Sequence, residues 1–252
     1  MDKPNGPSYL IVGRGRWGAR MHAMLVGEGR RAEFAAGLRR GVNESSGAYE
    51  SRLAQTFSDS AAQIVWLCVP PGPYVPILIR AAFAARLHVI VEKPWVYSRE
   101  ETALLQDIAT RAGLRGGVHF EYCLLSEIEN WRRQYEQQNG LKFGGTFNVH
   151  AGDHLGISAM QNLGSHLMAM REHAVPHSRL SKIYCGYELP DERMVWLDFD
   201  NQRVATIEFL ASKQPIVQRF VSRFENSLAG NPFPFDFAFA HRVTENLRLS
   251  SS

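Results

Sequence analysis

Three glycines at fixed spacing constrain this chain more than any other feature. They lie in the stretch Leu10-Ile-Val-Gly-Arg-Gly-Arg-Trp-Gly-Ala-Arg-Met-His22, where Gly13, Gly15 and Gly18 follow a short apolar run. In a G-x-G-x-x-G turn between a strand and a helix, the first glycine makes the tight turn. The second lets the backbone approach a pyrophosphate, and the third lets helix and strand pack closely. The pattern predicts a strand ending at Val12 and a helix over Trp17–Val26 whose N-terminal N–H groups face phosphate. Trp17 shares the loop, and the cationic Arg14 and Arg16 put extra positive charge beside the pyrophosphate or a 2′-phosphate.

Behind this turn the chain keeps a strand–helix rhythm. A second strand is expected over Ala32–Leu38, closed by Arg39-Arg40, with no carboxylate until Glu44. An acidic residue at that strand end binds the ribose 2′-hydroxyl of NAD, whereas guanidinium groups pair with phosphate. The end at Arg39 and Arg40 therefore points to NADP, with NAD the lesser alternative, although two adjacent arginines also suit a solvated turn. A helix over Tyr49–Thr56 is expected next. Ile64-Val-Trp-Leu-Cys-Val69 reads as a strand buried on both faces of a parallel sheet, cut off by Pro70-Pro-Gly-Pro73. Tyr74–Ala85 has helical periodicity, and Leu87–Val91 reads as another buried strand, followed by Glu92-Lys93-Pro94-Trp95. Ser98 with Glu101 forms a capping box for a helix reaching Thr110. Strands alternating with helices predict an open doubly wound parallel sheet, a Rossmann-type domain over residues 1–118.

The second half has a different grain. After a last strand in Gly113–Phe120, a helix is expected over Glu121–Gln138. Strands are expected at Phe143–His150, Ser181–Glu188, Met194–Phe199 and Arg203–Phe209, with a tight turn at Asp200–Gln202 and helices over Val217–Leu228 and Phe239–Leu247. Strands in series with few helices between them predict a second α+β domain, residues 119–252, on a mostly antiparallel sheet.

Composition narrows the partners. A net charge of +3 in 252 residues, with Lys and Arg scattered, argues against nucleic acid and is compatible with a small anionic ligand. Three cysteines without C-x-x-C spacing fit free thiols in a reducing compartment, so the cytoplasm is the expected location. No apolar run reaches the roughly 18 residues of a membrane helix. His150, Asp153 and His154 have a loose metal-like spacing, but the loop Gly152–Gly156 reads as pocket edge and no metal is expected.

An ordered series of segments resembles the oxidoreductases related to glucose–fructose oxidoreductase and inositol dehydrogenase, the Gfo/Idh/MocA family. The series is Gly13–Gly18, then Val69-Pro70-Pro71, then His88-Val-Ile-Val-Glu-Lys-Pro94, and later Asn162-Leu-Gly-Ser-His166. The resemblance implies that Val69, Pro70, Pro71, Glu92, Lys93 and Pro94 border the nicotinamide. It also implies that Lys93 holds the substrate oxygen, that His166 handles a proton, and that the second-domain sheet forms a homodimer or homotetramer.

The chain departs from the family pattern at several positions. Asn162, a candidate catalytic-site residue, stands where relatives carry an acidic one; asparagine can orient a substrate by hydrogen bonds but cannot accept a proton. Tyr74 stands where a histidine is common, and Cys123 where arginine is usual. The chain is also short for the family. Tyr74, Tyr122 and His154 are candidate substrate contacts, with core packing the competing reading for Tyr122. These features point to reduction of a C=O, C=N or C=C bond of a small polar metabolite in a specialised biosynthetic step. Sugar or polyol dehydrogenation and a catalytically silent nucleotide-binding sensor remain the alternatives.

Overall fold

The computed structural model describes residues 6–126, 128–130, 132–133, 164–174, 182–189, 192–198 and 214–249. The expected strands at Phe143–His150 and Arg203–Phe209 and the turn at Asp200–Gln202 lie outside them. The described chain divides into two compact units.

The first unit comprises residues 1–119 and 222–238. Its strands are β1 (Tyr9–Val12), β2 (Ala32–Phe34), β3 (Ile64–Leu67), β4 (His88–Glu92) and β5 (Gly116–His119), all parallel, in the order β2-β1-β3-β4-β5. Every residue of β1, β3 and β5 is buried, as the continuous apolar runs predict for strands covered on both faces. The helices between them are α1 (Arg16–Gly27), α2 (Ser46–Ser58), α3 (Val75–Ala84) and α4 (Arg99–Ala112). Ser98 caps α4 by accepting from the Glu101 N–H at 3.2 Å, and Gly113 ends it in a left-handed conformation. Arg80 on α3 ties its neighbours together, reaching Glu50 of α2 at 3.2 Å and Glu101 of α4 at 2.9 Å. Because β2 and β3 lie on opposite sides of β1, the strand order reverses between β1 and β3. In open α/β sheets that crevice, outside the carboxyl ends of the strands, receives ligands.

The structure corrects one expectation in this unit. β2 stops at Phe34 rather than Leu38, because it is a half-exposed edge strand and Gly37 turns the chain with φ +69°. Arg39 and Arg40 therefore sit in the loop beyond the strand. The compact units can be set beside the expected domain split. The first unit ends at His119, close to the expected Val118, yet residues 222–238 also belong to it.

That returning segment is bound by chemistry that periodicity does not reveal. Glu225 accepts two hydrogen bonds from Arg30, at 2.7 and 2.9 Å, and one from the Tyr9 hydroxyl at 2.7 Å. Phe235 extends the sheet edge, its carbonyl accepting from Val118 N–H at 2.9 Å. Phe237 stacks on Trp95 with centroids 4.7 Å apart. The rings of Phe237 and Phe233 lie where a Cβ on Gly116 or Gly117 would stand, which is why β5 opens on two glycines. Arg30 and Glu225 side chains are only 13% and 16% exposed, and removing Glu225 takes two hydrogen bonds from Arg30, which keeps Glu28, and the acceptor from the Tyr9 hydroxyl. Glu225→Ala is expected to cost about 3 kcal/mol in urea unfolding.

The second unit comprises residues 120–221 and 239–252. The helix expected from Glu121 begins later. Glu121–Leu124 is a 3-10 turn, Leu125 is extended, and helical residues start at Ser126. Beyond it α5 (Ser165–Ala174) is buried along its whole length, and β6 (Lys182–Leu189) pairs antiparallel with β7 (Glu192–Asp198). Helices α6 (Gln214–Leu228) and α7 (Phe237–Leu249) complete the described chain. Glu172 on α5 binds Arg242 at 2.8 Å and Asn246 at 3.2 Å, anchoring α7.

Candidate active site

The glycine loop is built as its spacing requires. Gly13 has φ +111°, and a Cβ there would stand 2.3 Å from the Cys68 carbonyl oxygen. A Cβ on Gly18 would stand 2.0 Å from the Gly13 carbonyl oxygen. These two glycines are compelled by neighbouring backbone. Gly15 differs: its φ of −68° suits any residue, and a Cβ would meet nothing within 4 Å. The space in front of Gly15 is open, a cradle that a side chain would fill. Gly15 is also the N-cap of α1, so no side chain satisfies the helix's first amides, and the first turn holds no acidic residue. Exposed amides at a positive helix end, reached over a bare glycine, fit a pyrophosphate.

Two more segments follow strands at the same sheet edge, both within the first unit. After β3 the chain turns through Val69, Pro70 and Pro71. Tyr97 braces that turn, its hydroxyl donating to the Gly72 carbonyl at 3.1 Å. Tyr74 is 36% exposed, and its hydroxyl donates to the Pro70 carbonyl at 2.7 Å, so it supports its own turn. After β4 come Lys93, partly exposed, and the buried Pro94, joined by a cis peptide bond.

Glu92 closes β4 directly opposite His119 in the β4–β5 register. Its Oε1 accepts from the Trp66 indole at 2.9 Å and lies 3.0 Å from His119 Nδ1. Trp66 meets the His119 ring edge-on at 5.0 Å, and Trp17 lies 6.0 Å from it, tilted. Burial pushes the Glu92 carboxyl up, but the charge and hydrogen bond of His119 outweigh it, helped by Trp17 and the Lys93 charge. The net result is a carboxyl held below its ordinary range. A group whose folded-state pKa is depressed contributes stability above its unfolded pKa, about 4.3 for Glu, and loses it as pH falls. Glu92→Gln is therefore expected to make the fall in melting temperature between about pH 5 and about pH 3 shallower than in the wild type. The cluster as such is not visible to pattern reading, which singles out Glu92 without a partner. Its signal is the pairing of Glu92 with His119, which emerges only once the strand register is known.

Cys68, beyond β3, is a free thiol pushed up by burial and by Glu92, and so is poorly suited to nucleophilic work. In the loop after β2, Arg39 and Arg40 are exposed. Arg52 binds this loop together through Glu44 at 2.8 Å and the Arg39 carbonyl at 2.9 Å. The Arg52 hydrogen bond, with the Gly41 N–H, holds the Glu44 carboxyl at about 2.

In the second unit, His166 is buried on α5 and meets the Tyr122 ring edge-on at 4.7 Å. The structure thus brings Tyr122 and His166 together, with both packed among other side chains. Asn162 and His154 lie outside the described residues. Among the described residues no group of three His, Cys, Asp or Glu side chains is arranged to hold a metal ion. Nor is any helix among them long and apolar enough to cross a membrane.

Known proteins share both the sequence pattern and the fold. Residues 8–120 match a family model described as the GFO_IDH_MocA oxidoreductase family, NAD-binding Rossmann fold. No curated protein sequence matches the chain. Among solved structures it is similar to an inositol dehydrogenase homologue from Azotobacter vinelandii complexed with NADH and myo-inositol. That match has 15% identity and TM-score 0.65, covering 98% of this chain and 94% of the other. It is also similar to the WlbA (WbpB) dehydrogenase from Thermus thermophilus, in complex with NAD and UDP-GlcNAcA. Here the identity is 15% and the TM-score 0.64, covering 97% and 94%. An oxidoreductase from Pseudomonas syringae matches at 15% identity and TM-score 0.66, covering 99% and 96%.

Proposed function

We propose that the chain, whose residues 8–120 match the GFO_IDH_MocA oxidoreductase family, NAD-binding Rossmann fold, is an NADP(H)-dependent reductase of a small polar metabolite. The observation that carries this reading is the single sheet edge that gathers the open Gly15 cradle, the Pro70–Pro71 turn and Glu92-Lys93-Pro94. A dinucleotide bound there supplies hydride exchange at its nicotinamide. The chain's own residues then have defined tasks. Gly13–Gly18 receive the pyrophosphate, and Val69–Pro71 and Pro94 border the nicotinamide end. Lys93 holds the substrate oxygen or nitrogen and exchanges a proton with it, and His166 is the second proton-handling group.

The preference for NADP rests on the segment just beyond β2. Ala35–Leu38 offers no carboxylate, and the first one, Glu44, is engaged by Arg52 and Gly41. Asn162 in the acidic position of the family pattern favours reduction, which needs a proton donor but not a strong base. Sugar or polyol dehydrogenation is the second reading, favoured by the inositol dehydrogenase homologue and the WlbA dehydrogenase among similar folds. The antiparallel β6–β7 pair supports an open antiparallel sheet in the second unit, through which a homodimer or homotetramer would form.

The test monitors loss of NADPH absorbance over panels of aldehydes, ketones, imines and enones, and its gain from NADP over sugars and polyols. Turnover on the first panel supports reduction, and turnover on the second alone supports the dehydrogenase reading. Tight nucleotide binding without turnover on either panel would instead make the chain a nucleotide sensor.

A further inference from the structure

We infer that Arg14, held over the ring of Phe34, is the residue that selects a 2′-phosphorylated adenosine. This assignment rests on the NADP reading above and departs from it in placing selection on Arg14 rather than on Arg39 and Arg40. Phe34 is the last residue of β2 and stands opposite Ile11 in the pairing with β1. The Arg14 guanidinium carbon lies 5.5 Å from the centre of its ring. His22 on α1 packs nearly parallel to the same ring, 4.6 Å between centroids and 16° between planes. The imidazole is itself fixed, Nε2 donating to the Ala32 carbonyl at 3.1 Å. Helix, edge strand and glycine loop are thus joined through one aromatic ring at the carboxyl end of β2, where a dinucleotide fold places the adenosine ribose.

Stacking suits a phosphate-binding arginine. A guanidinium lying on an aromatic face keeps its N–H donors in its own plane, directed outward for bidentate contact with phosphate oxygens. Arg14 is exposed, and among the described residues no carboxylate pairs with it. The loop arginines are differently placed: Arg40 Nε donates to the Glu44 carbonyl at 2.9 Å, and the Arg39 carbonyl is held by Arg52. They belong to a loop that binds itself together.

The experiment is calorimetric titration of NADPH, NADH, 2′,5′-ADP and ADP-ribose into wild type, Arg14→Leu, Phe34→Leu and the double variant Arg39→Ala/Arg40→Ala, with circular dichroism melts checking that each is folded. Arg14→Leu is expected to weaken NADPH and 2′,5′-ADP by about 10- to 100-fold and NADH and ADP-ribose by no more than about threefold. Phe34→Leu, which keeps bulk but removes the stacking face, is expected to lose the same preference by a smaller factor. Equal weakening of all four ligands in Arg14→Leu would overturn the assignment, because Arg14 would then be reading the pyrophosphate. Survival of the preference in Arg14→Leu, with its loss in the Arg39→Ala/Arg40→Ala variant, would overturn it in favour of the loop. A wild-type protein that binds NADH more tightly than NADPH would remove the NADP reading itself.

Discussion

Lys93→Ala is expected to lower kcat by about a hundred- to ten-thousand-fold, the span of a lost general acid–base group. The nucleotide Kd should rise by no more than about fivefold, since the proposed pyrophosphate and adenosine sites lie at the ends of β1 and β2. Lys93 follows Glu92 at the carboxyl end of β4. The β4–β5 pairing ends at Glu92, so truncating Lys93 removes the ammonium and leaves the strand pairing in place. A truncated lysine that merely raised KM would show that it binds substrate equally in ground and transition states. Unchanged kcat would exclude it from the chemistry altogether.

Gly15→Val is expected to abolish measurable NADPH binding, a loss of at least about a hundredfold, while the apo melting temperature moves by no more than about 3 °C. The asymmetry comes from the glycine loop itself. At Gly13 and Gly18 an added Cβ meets backbone at 2.3 and 2.0 Å, so substitution there damages the fold before it can test binding. At Gly15 the backbone is extended and ordinary, and the added side chain enters open space. It would stand where the pyrophosphate should approach. An intact fold that still binds NADPH would mean that the dinucleotide lies elsewhere.

The first unit was largely legible in the sequence because its information is local. Each central strand is a continuous apolar run, each punctuated by glycine, proline or a capping serine, and parallel strands buried on both faces need nothing more to be recognised. The glycine loop was legible for the same reason, its three positions being fixed by close approach. What the sequence withheld depends on partners far along the chain. Glu225 looks like one charge on an amphipathic helix until Arg30 and Tyr9, some 195 and 216 positions away, are set beside it. The glycine pair Gly116-Gly117 reads as a weak strand until Phe233 and Phe237 occupy the missing side chains' places. Glu92 and His119 become a pair only through the register of β4 and β5. Periodicity also overextended β2 to Leu38 and ran a helix through Glu121–Leu125, where the backbone adopts a 3-10 turn and then an extended residue. In the candidate site, Lys93 and the glycines were visible as motif residues. Arg14 was visible as a loop cation, but its contact with Phe34 was not, because it crosses from the loop to the neighbouring strand.

The most direct measurement is the melting temperature of the wild-type protein with saturating NADPH, with NADH, and with no nucleotide. Ligand binding to the folded state adds stability, about 2.7 kcal/mol at a hundredfold excess over Kd. NADPH should raise the melting temperature by several degrees, NADH by less, and both above the nucleotide-free protein. If neither nucleotide shifts it, the loop from Gly13 to Gly18 does not form a dinucleotide site.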